Sequence, residues 1–299
     1  MRTRSPLRGR TTVVTGAARG VGEAVARRLT ERGARVALLG LEGDRLDRLA
    51  GDLGGRAAAW TVDVTDQQAM ARTADLVRER LGPVSVVVVN AGVAAGGPLL
   101  HTDPALWRRV VEVNLVGSAV TARVFLPDLL RTRGYLLQVA SLAALAPAPM
   151  MTAYCASKSG AEAFAHALRA EVRHLGVGVG VGYLSWTDTA MIRAADHSPA
   201  LRELRDAMPW PASRTHPVGP AAARLVGGIE RRAETVHTPP WLRAVAAARV
   251  VVPGLVARGA AREFRRRAPR FDLPDTGPLG AGGRAAVGRP ASEPPATPS

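Results

Sequence analysis

At 299 residues with 47% hydrophobic side chains, the chain can bury roughly three quarters of its unfolded surface, in one large α/β domain or two small ones. The net charge of +15 is uneven: residues 1–10 carry +4, 11–240 about +5 and 241–299 +6. No zinc-finger, helix-turn-helix or aromatic RNA-binding pattern accompanies the basic ends, so no nucleic-acid partner is expected. A single cysteine, Cys155, excludes an intramolecular disulfide and fits a reducing, cytoplasmic setting. The basic start MRTRSPLRGR (residues 1–9 being read as a leader) runs into no apolar stretch of secretory-signal length, and no uninterrupted apolar run reaches the ~18 residues of a membrane span.

Valine-rich runs alternate with segments of helical period. TTVVT (11–15) reads as a first strand, followed by a helix over 21–32. Strands at 34–39, 57–62 and 84–89 alternate with helices at 44–53 and 66–81. A long helix over 103–130 leads to a strand at 135–140, a helix over 151–173 and a sixth strand at 177–184. Continuously apolar strands joined by helices of ten or more residues predict a parallel sheet covered on both faces. The sheet is expected to be complete near residue 240.

TGAARGVG (15–22) falls where the first strand turns into the first helix. Gly16, Gly20 and Gly22 admit a diphosphate close to the backbone, and the helix start at Val21 offers amide donors and a positive dipole end. Asp63 and Val64 follow the third strand, and Asn90, Ala91 and Gly92 follow the fourth. Both places are carboxyl ends of strands, where open α/β sheets bind ligands. Asn114 sits inside a long helix, where asparagine is a poor helix former. Tyr154 and Lys158, four apart on one helix face, put a phenol and an ammonium at one site; a nearby cation favours the phenolate. Lys158 is the only lysine in a chain that otherwise uses arginine 39 times, which singles it out as chosen for something arginine cannot do. Ser141 ends the preceding apolar strand.

In this order these elements resemble the short-chain dehydrogenase/reductase family, in its compact single-domain branch, over roughly residues 10–240. The resemblance implies a Rossmann-like, doubly wound, three-layer α/β/α fold. It also implies an NAD(P)(H)-dependent oxidoreductase interconverting an alcohol and a ketone or aldehyde. Asn114, Ser141, Tyr154 and Lys158 become the catalytic set: Tyr154 the general acid/base, Ser141 on the substrate oxygen, Lys158 on the nicotinamide ribose and lowering the Tyr154 pKa, Asn114 fixing a water beyond Lys158. Gly16, Arg19, Gly20, Val21, Gly22, Asp63, Val64, Asn90, Ala91, Gly92 and Thr189 would join Tyr154 and Lys158 in holding the cofactor, with Asp63 at the adenine and Thr189 at the nicotinamide amide. No metal is implied. Homodimers or homotetramers are usual, with the 103–130 and 151–173 helices as the contacts. The rival reading is a non-catalytic nucleotide-binding or scaffold protein on the same fold, which the complete set of four residues disfavours.

Three departures stand out. Leu184 and Ser185 replace the family's usual Pro-Gly before the loop carrying Thr189. The second strand ends in Gly40 and Leu41, with no carboxylate to select NAD(H), whereas Arg19 is placed to pair with a 2′-phosphate; the balance favours NADP(H). The family's usual ending is absent.

The pocket wall is expected from Leu142, Ala143, Met150 and Met151 beside Ser141 and Tyr154, with Met208 and Trp210 from the 190–217 segment. Such a wall suits a small lipophilic alcohol or ketone. Residues 241–271 form an apolar, arginine-rich extension. Trp241, Val245, Ala248 and Val252 fall on one helical stripe followed by a basic cluster (Arg258, Arg262, Arg265, Arg266, Arg267, Arg270). That extension is expected to dock peripherally on an anionic membrane at its inner face or to roof the pocket, or else to pack on its own domain or on a partner subunit with its arginines solvated. Residues 272–299, rich in proline and glycine, read as a disordered tail.

Overall fold

The computed structural model describes residues 5–267 and 276–288. Seven strands, β1 (Thr11–Thr15), β2 (Arg35–Gly40), β3 (Ala57–Thr61), β4 (Val84–Val89), β5 (Tyr135–Ser141), β6 (Gly178–Leu184) and β7 (Thr235–Thr238), form one parallel sheet in the order β3-β2-β1-β4-β5-β6-β7. Six of them are the expected apolar runs. The seventh escapes an apolar-run reading because TVHT holds one aliphatic residue, Val236, and pairs only with β6 at the sheet edge.

Alternate strand residues feed two separate cores, as a pleated strand requires. Val13, Leu39, Val87 and Leu136 face one layer, made by α3 (Gln67–Leu81), α5 (Gly117–Thr132) and α7 (Thr152–Val172) through Met70, Phe125 and Leu168. Their neighbours Val14, Leu38, Val88 and Leu137 face the other. That layer comprises α1 (Gly20–Glu31), α2 (Gly43–Leu53) and α10 (Val218–Glu230), through Leu29, Leu46 and Leu225. Burial on both faces is why these strands lack a polar alternation.

The long helix expected over 103–130 is present, running over Pro104–Thr132 with one irregular turn inside it. Asp103 caps α4 (Pro104–Val111) by accepting from the Ala105 amide at 2.9 Å, and a single π turn over Glu112–Val116 then leads into α5. Pro104–Thr132 is long and apolar enough to cross a bilayer by length and composition, yet it packs between β4 and α7 as a core helix. Short helices α6 (Leu142–Leu145), α8 (Ala190–Asp196) and α9 (Pro199–Asp206) line the carboxyl end of the sheet.

At the chain ends the leader and the tail differ from expectation, while the extension follows the reading in which it packs on its own domain. Within the leader, Leu7 is buried in the second core and Ser5 donates to Glu230 at 2.7 Å, so residues 5–9 are part of the domain. In the extension, α11 (Leu242–Ala247) and α12 (Val252–Arg267) lie on the domain itself. Trp241, Val245 and Val252 pack against the first core, and Leu242 is fully buried in it, while Ala248 of the expected stripe is exposed. Arg249 clamps the extension by donating to both oxygens of buried Glu162, at 2.8 and 3.0 Å. The expected disordered tail is corrected over 276–288, which contains α13 (Gly280–Val287) docked on α8. Arg270 and residues 289–299 lie outside the described residues.

Candidate active site

Strand order reverses between β1 and β4, and ligands bind at such a switch point beyond the carboxyl ends of the strands. Here β1 ends in the glycine-rich turn and β4 in Asn90-Ala91-Gly92. The two are stitched together. Thr15 Oγ1 accepts from the amides of Asn90 (3.0 Å) and Ala91 (3.1 Å), and Asn90 Nδ2 donates to the carbonyls of Thr15 (2.9 Å) and Gly16 (3.3 Å). A Cβ on Gly16 would stand 2.8 Å from Ala91 Cα, and one on Gly22 would stand 2.2 Å from Gly16 O. Side chains at these places would push the two turns apart. Asn90 is thus a brace for the glycine turn, and Thr15, which sequence reasoning passed over as an ordinary strand residue, is its partner.

One cavity of about 290 Å³ runs from Gly16, Arg19, Gly20 and Val21, past Asp63 and Val64, to Asn90, Ala91, Gly92, Ser141, Tyr154 and Lys158. At one end, burial alone would raise the Asp63 carboxyl. Hydrogen bonds from the Thr65 amide (2.9 Å) and hydroxyl (2.8 Å), together with the Arg109 guanidinium, hold it below its usual value instead. Arg109 is a residue the sequence did not single out; no local signal marks an arginine on α4 as reaching across to β3. Beside the glycine turn, Arg19 forms a two-point ion pair with Glu42, the Nε–Oε2 distance being 2.6 Å. Its charge is met within the protein.

At the other end stands the Tyr154 group. Burial pushes the phenol above its usual value, and the neighbouring Ser141 hydroxyl opposes that rise. The Ser141 hydroxyl also accepts from the Ala143 amide at 3.1 Å, capping α6. Lys158 Nζ lies 5.8 Å from the Tyr154 ring centre and donates to the Val139 carbonyl at 3.2 Å. Burial depresses the lysine from 10.5 to about 8, because an ammonium loses hydration there. Asn114 occupies the π turn, fully buried. Its Oδ1 accepts from the Val93 amide (2.8 Å), and its Nδ2 donates to the Val93 carbonyl and Ser157 Oγ (both 2.9 Å). Within the π turn this asparagine faces the Val93 backbone and Ser157 of α7; π turns recur at functional sites.

The apolar wall is formed by Leu142, Ala143, Ala146, Met151, Met191 and Met208. Two expected members are not there. Met150 adopts a positive φ of 63° and is buried in a side cluster with Ala94, Ala195, Leu201 and Leu279, its carbonyl accepting from Gly97 at 2.8 Å. Trp210 is 77% exposed, outside the cavity. Thr189 lies at the cavity with its methyl against Gly20 and its hydroxyl accepting from Ile192 at the start of α8.

A dinucleotide fits these residues on two observations. The glycine-rich turn and the start of α1 line the cavity through Gly16, Gly20 and Val21, presenting backbone to it where side chains would stand. Ser185 Oγ and Trp186 Nε1, both in the cavity wall, are buried with no hydrogen-bond partner among the described residues, and are free to meet an incoming polar group. Among the described residues no cluster of His, Cys, Asp or Glu could hold a metal.

Fold and site together define a nucleotide-binding α/β domain with a tyrosine, serine and lysine at the end of its cleft. The sequence model of the short chain dehydrogenase family matches residues 10–200. A short chain dehydrogenase of Pseudocercospora fijiensis is 33% identical over 221 residues, covering 70% of this chain and 71% of the relative. The 1-deoxy-11-beta-hydroxypentalenate dehydrogenase of Streptomyces exfoliatus is 40% identical over 195 residues, 62% of this chain and 70% of the relative. The meso-2,3-butanediol dehydrogenase of Serratia marcescens is 38% identical over 147 residues, 49% and 59% of the two chains. The chain belongs to the short-chain dehydrogenase family. It is an oxidoreductase acting on CH–OH groups with a nicotinamide cofactor.

Proposed function

We propose that this enzyme interconverts a lipophilic secondary alcohol and its ketone, with Tyr154 as the general acid/base. The observation that carries the reading is that Ser141 and Tyr154 line the same apolar end of the cavity, with the only lysine of the chain 5.8 Å from the centre of the phenol ring. The nicotinamide cofactor supplies the hydride acceptor or donor. In the oxidative direction Tyr154, as phenolate, takes the hydroxyl proton of the alcohol; in the reductive direction it returns a proton to the carbonyl oxygen. Ser141 holds that oxygen by hydrogen bonding. Lys158 stabilises the phenolate by its charge. With its pKa at about 8, it also takes up and releases protons in the working pH range. Asn114, fixed by Val93 and Ser157, continues the path on the far side of Gly92.

Glycine-turn amides and the start of α1 would hold the diphosphate, Asp63 the adenine, Lys158 the nicotinamide ribose and Thr189 the amide. On the cofactor, the expectation of NADP(H) rested on Arg19 and on the absence of a carboxylate at the end of the second strand. With Glu42 paired to that guanidinium, a 2′-phosphate would meet a carboxylate beside Arg19, so we favour NAD(H). The substrate class follows from the wall of leucine, alanine and methionine, where among the described residues no charged side chain other than Lys158 stands near Tyr154. Assembly as a dimer or tetramer through the faces of α4, α5 and α7 is part of this reading, and light scattering measures it. The function is tested by screening purified protein with NADH and NADPH against a panel of hydrophobic ketones; activity confined to small hydrophilic or acidic carbonyls would overturn the substrate class.

A further inference from the structure

The segment after the extension returns to the cleft. Thr276 and Gly96 exchange bonds, the Thr276 amide to the Gly96 carbonyl at 2.8 Å and the Gly96 amide to Thr276 Oγ1 at 2.9 Å. The Leu279 amide donates to the Ala94 carbonyl at 2.8 Å. These bonds make Ala95 and Pro278 antiparallel partners. Beyond this tie α13 crosses the cavity. Leu279, Gly282 and Ala286 line the same space as Gly16, Arg19 and Tyr154. At its far end the Ala286 carbonyl accepts from Arg109 Nε at 3.0 Å, the guanidinium that also holds Asp63.

We propose that residues 276–288 are a strap forming the outer wall of the cofactor site, which must lift for the dinucleotide to enter or leave; this rests on the cofactor reading above. The strap is shaped for close approach. Gly280 has φ +73° and a Cβ there would stand 3.0 Å from Met191 Cα, while a Cβ on Gly282 would have Arg19 Cδ, at 3.9 Å, as its nearest neighbour. Gly280 therefore lets the strap lie close against the start of α8, and Gly282 sits beside the Arg19 side chain. The strap contributes Leu279, Gly280, Gly282, Gly283, Ala285 and Ala286 to the cavity wall, so a ligand lying along the glycine-rich turn has the strap on its outer side. Its attachment is also light. An eight-residue helix with three glycines and no side-chain N-cap is not stable alone, so the strap can detach while the sheet stays intact.

The test uses the full chain with Ala95→Cys and Pro278→Cys. Antiparallel partners sit about 4.5–5.5 Å apart at Cα, within the ~4.4–6.8 Å that a disulfide spans, and Cys155 is buried away from them. Binding of NADH and NADPH is followed by stopped-flow fluorescence on the oxidised and reduced forms of one preparation. Oxidation is expected to slow association at least tenfold, reduction to restore it, and oxidation after loading to trap the cofactor. Equal rates in the two forms overturn the strap and leave the cofactor reading standing. Failure of the reduced form and of wild type to bind either nucleotide sinks both. Hydrogen exchange on the wild-type chain gives an independent check that no folding defect can obscure. Amides of Gly280–Val287 should gain protection on saturation with cofactor, and unchanged exchange overturns the strap.

Discussion

Asn114 and Lys158 converge on Gly92 from two different helices: a Cβ on that glycine would stand 3.2 Å from Asn114 Oδ1 and 3.3 Å from Lys158 Nζ. A side chain at this position would crowd both groups, at the point where the cleft along Asn90, Ala91 and Gly92 meets Lys158 and Tyr154. Lys158 stays near the ring of Tyr154, and Asn114 keeps one acceptor position of Oδ1 unused by protein. Asn114 and Lys158 thus meet at Gly92, while Ser141, Tyr154 and Lys158 line the same cavity.

Tyr154→Phe is expected to lower turnover by ~10²–10⁴-fold, the usual size of a general acid–base contribution, with NADH affinity within about threefold of wild type. Steady-state kinetics and fluorescence titration measure the two. Turnover above a hundredth of wild type would remove Tyr154 from its role.

Lys158 costs the fold stability. Its pKa of about 8 in the folded protein against 10.5 unfolded means that the penalty is complete below pH 8 and fades between 8 and 10.5, where only the unfolded chain keeps the proton. Lys158→Met should therefore stabilise the protein at pH 7 by on the order of 2 kcal/mol, the shift being worth ~3 kcal/mol and the lost bond to Val139 ~1. The advantage should shrink by pH 10. Urea midpoints of variant and wild type at the two pH values decide it; a variant less stable at pH 7 contradicts the assignment.

The Arg19–Glu42 pair is the expected switch for cofactor choice. Glu42→Gln releases the guanidinium and removes a carboxylate, so NADPH binding should tighten about tenfold, as a charge-assisted bond would give, while NADH binding changes little. Adding Arg19→Ala should erase the gain. An unchanged NADPH-to-NADH ratio in Glu42→Gln means that the pair merely shapes the turn.

Flotation with anionic vesicles at low salt addresses the extension. Trp241, Val245 and Val252 are committed to the domain core, and the apolar groups left exposed are Val250, Val251 and Leu255. Three aliphatic side chains beside arginines make a weak interfacial anchor, so the protein is expected to remain at the bottom of the gradient. Recovery with anionic but not neutral vesicles would restore a membrane role for residues 241–271.

Local chemistry was enough to read six strands, the glycine turn and the tyrosine–lysine pair. Each rests on a short-range rule: apolar runs for doubly buried strands, glycines at a strand-to-helix turn, a four-residue step on one helix face. The edge strand β7, the π turn around Asn114 and the Arg109 link to Asp63 have no such local sign, because each is settled by a partner distant in the chain. Position 150 looked like pocket wall by its place beside Ser141 and Tyr154; a positive φ, set by the packing around it, turned the side chain away. The sharpest case is the glycine- and proline-rich stretch after residue 272. Composition alone gives it no core to bury, yet residues 276–288 find their hydrogen bonds on Gly96, Ala94 and Arg109, groups that come together only once the sheet and its cleft have formed.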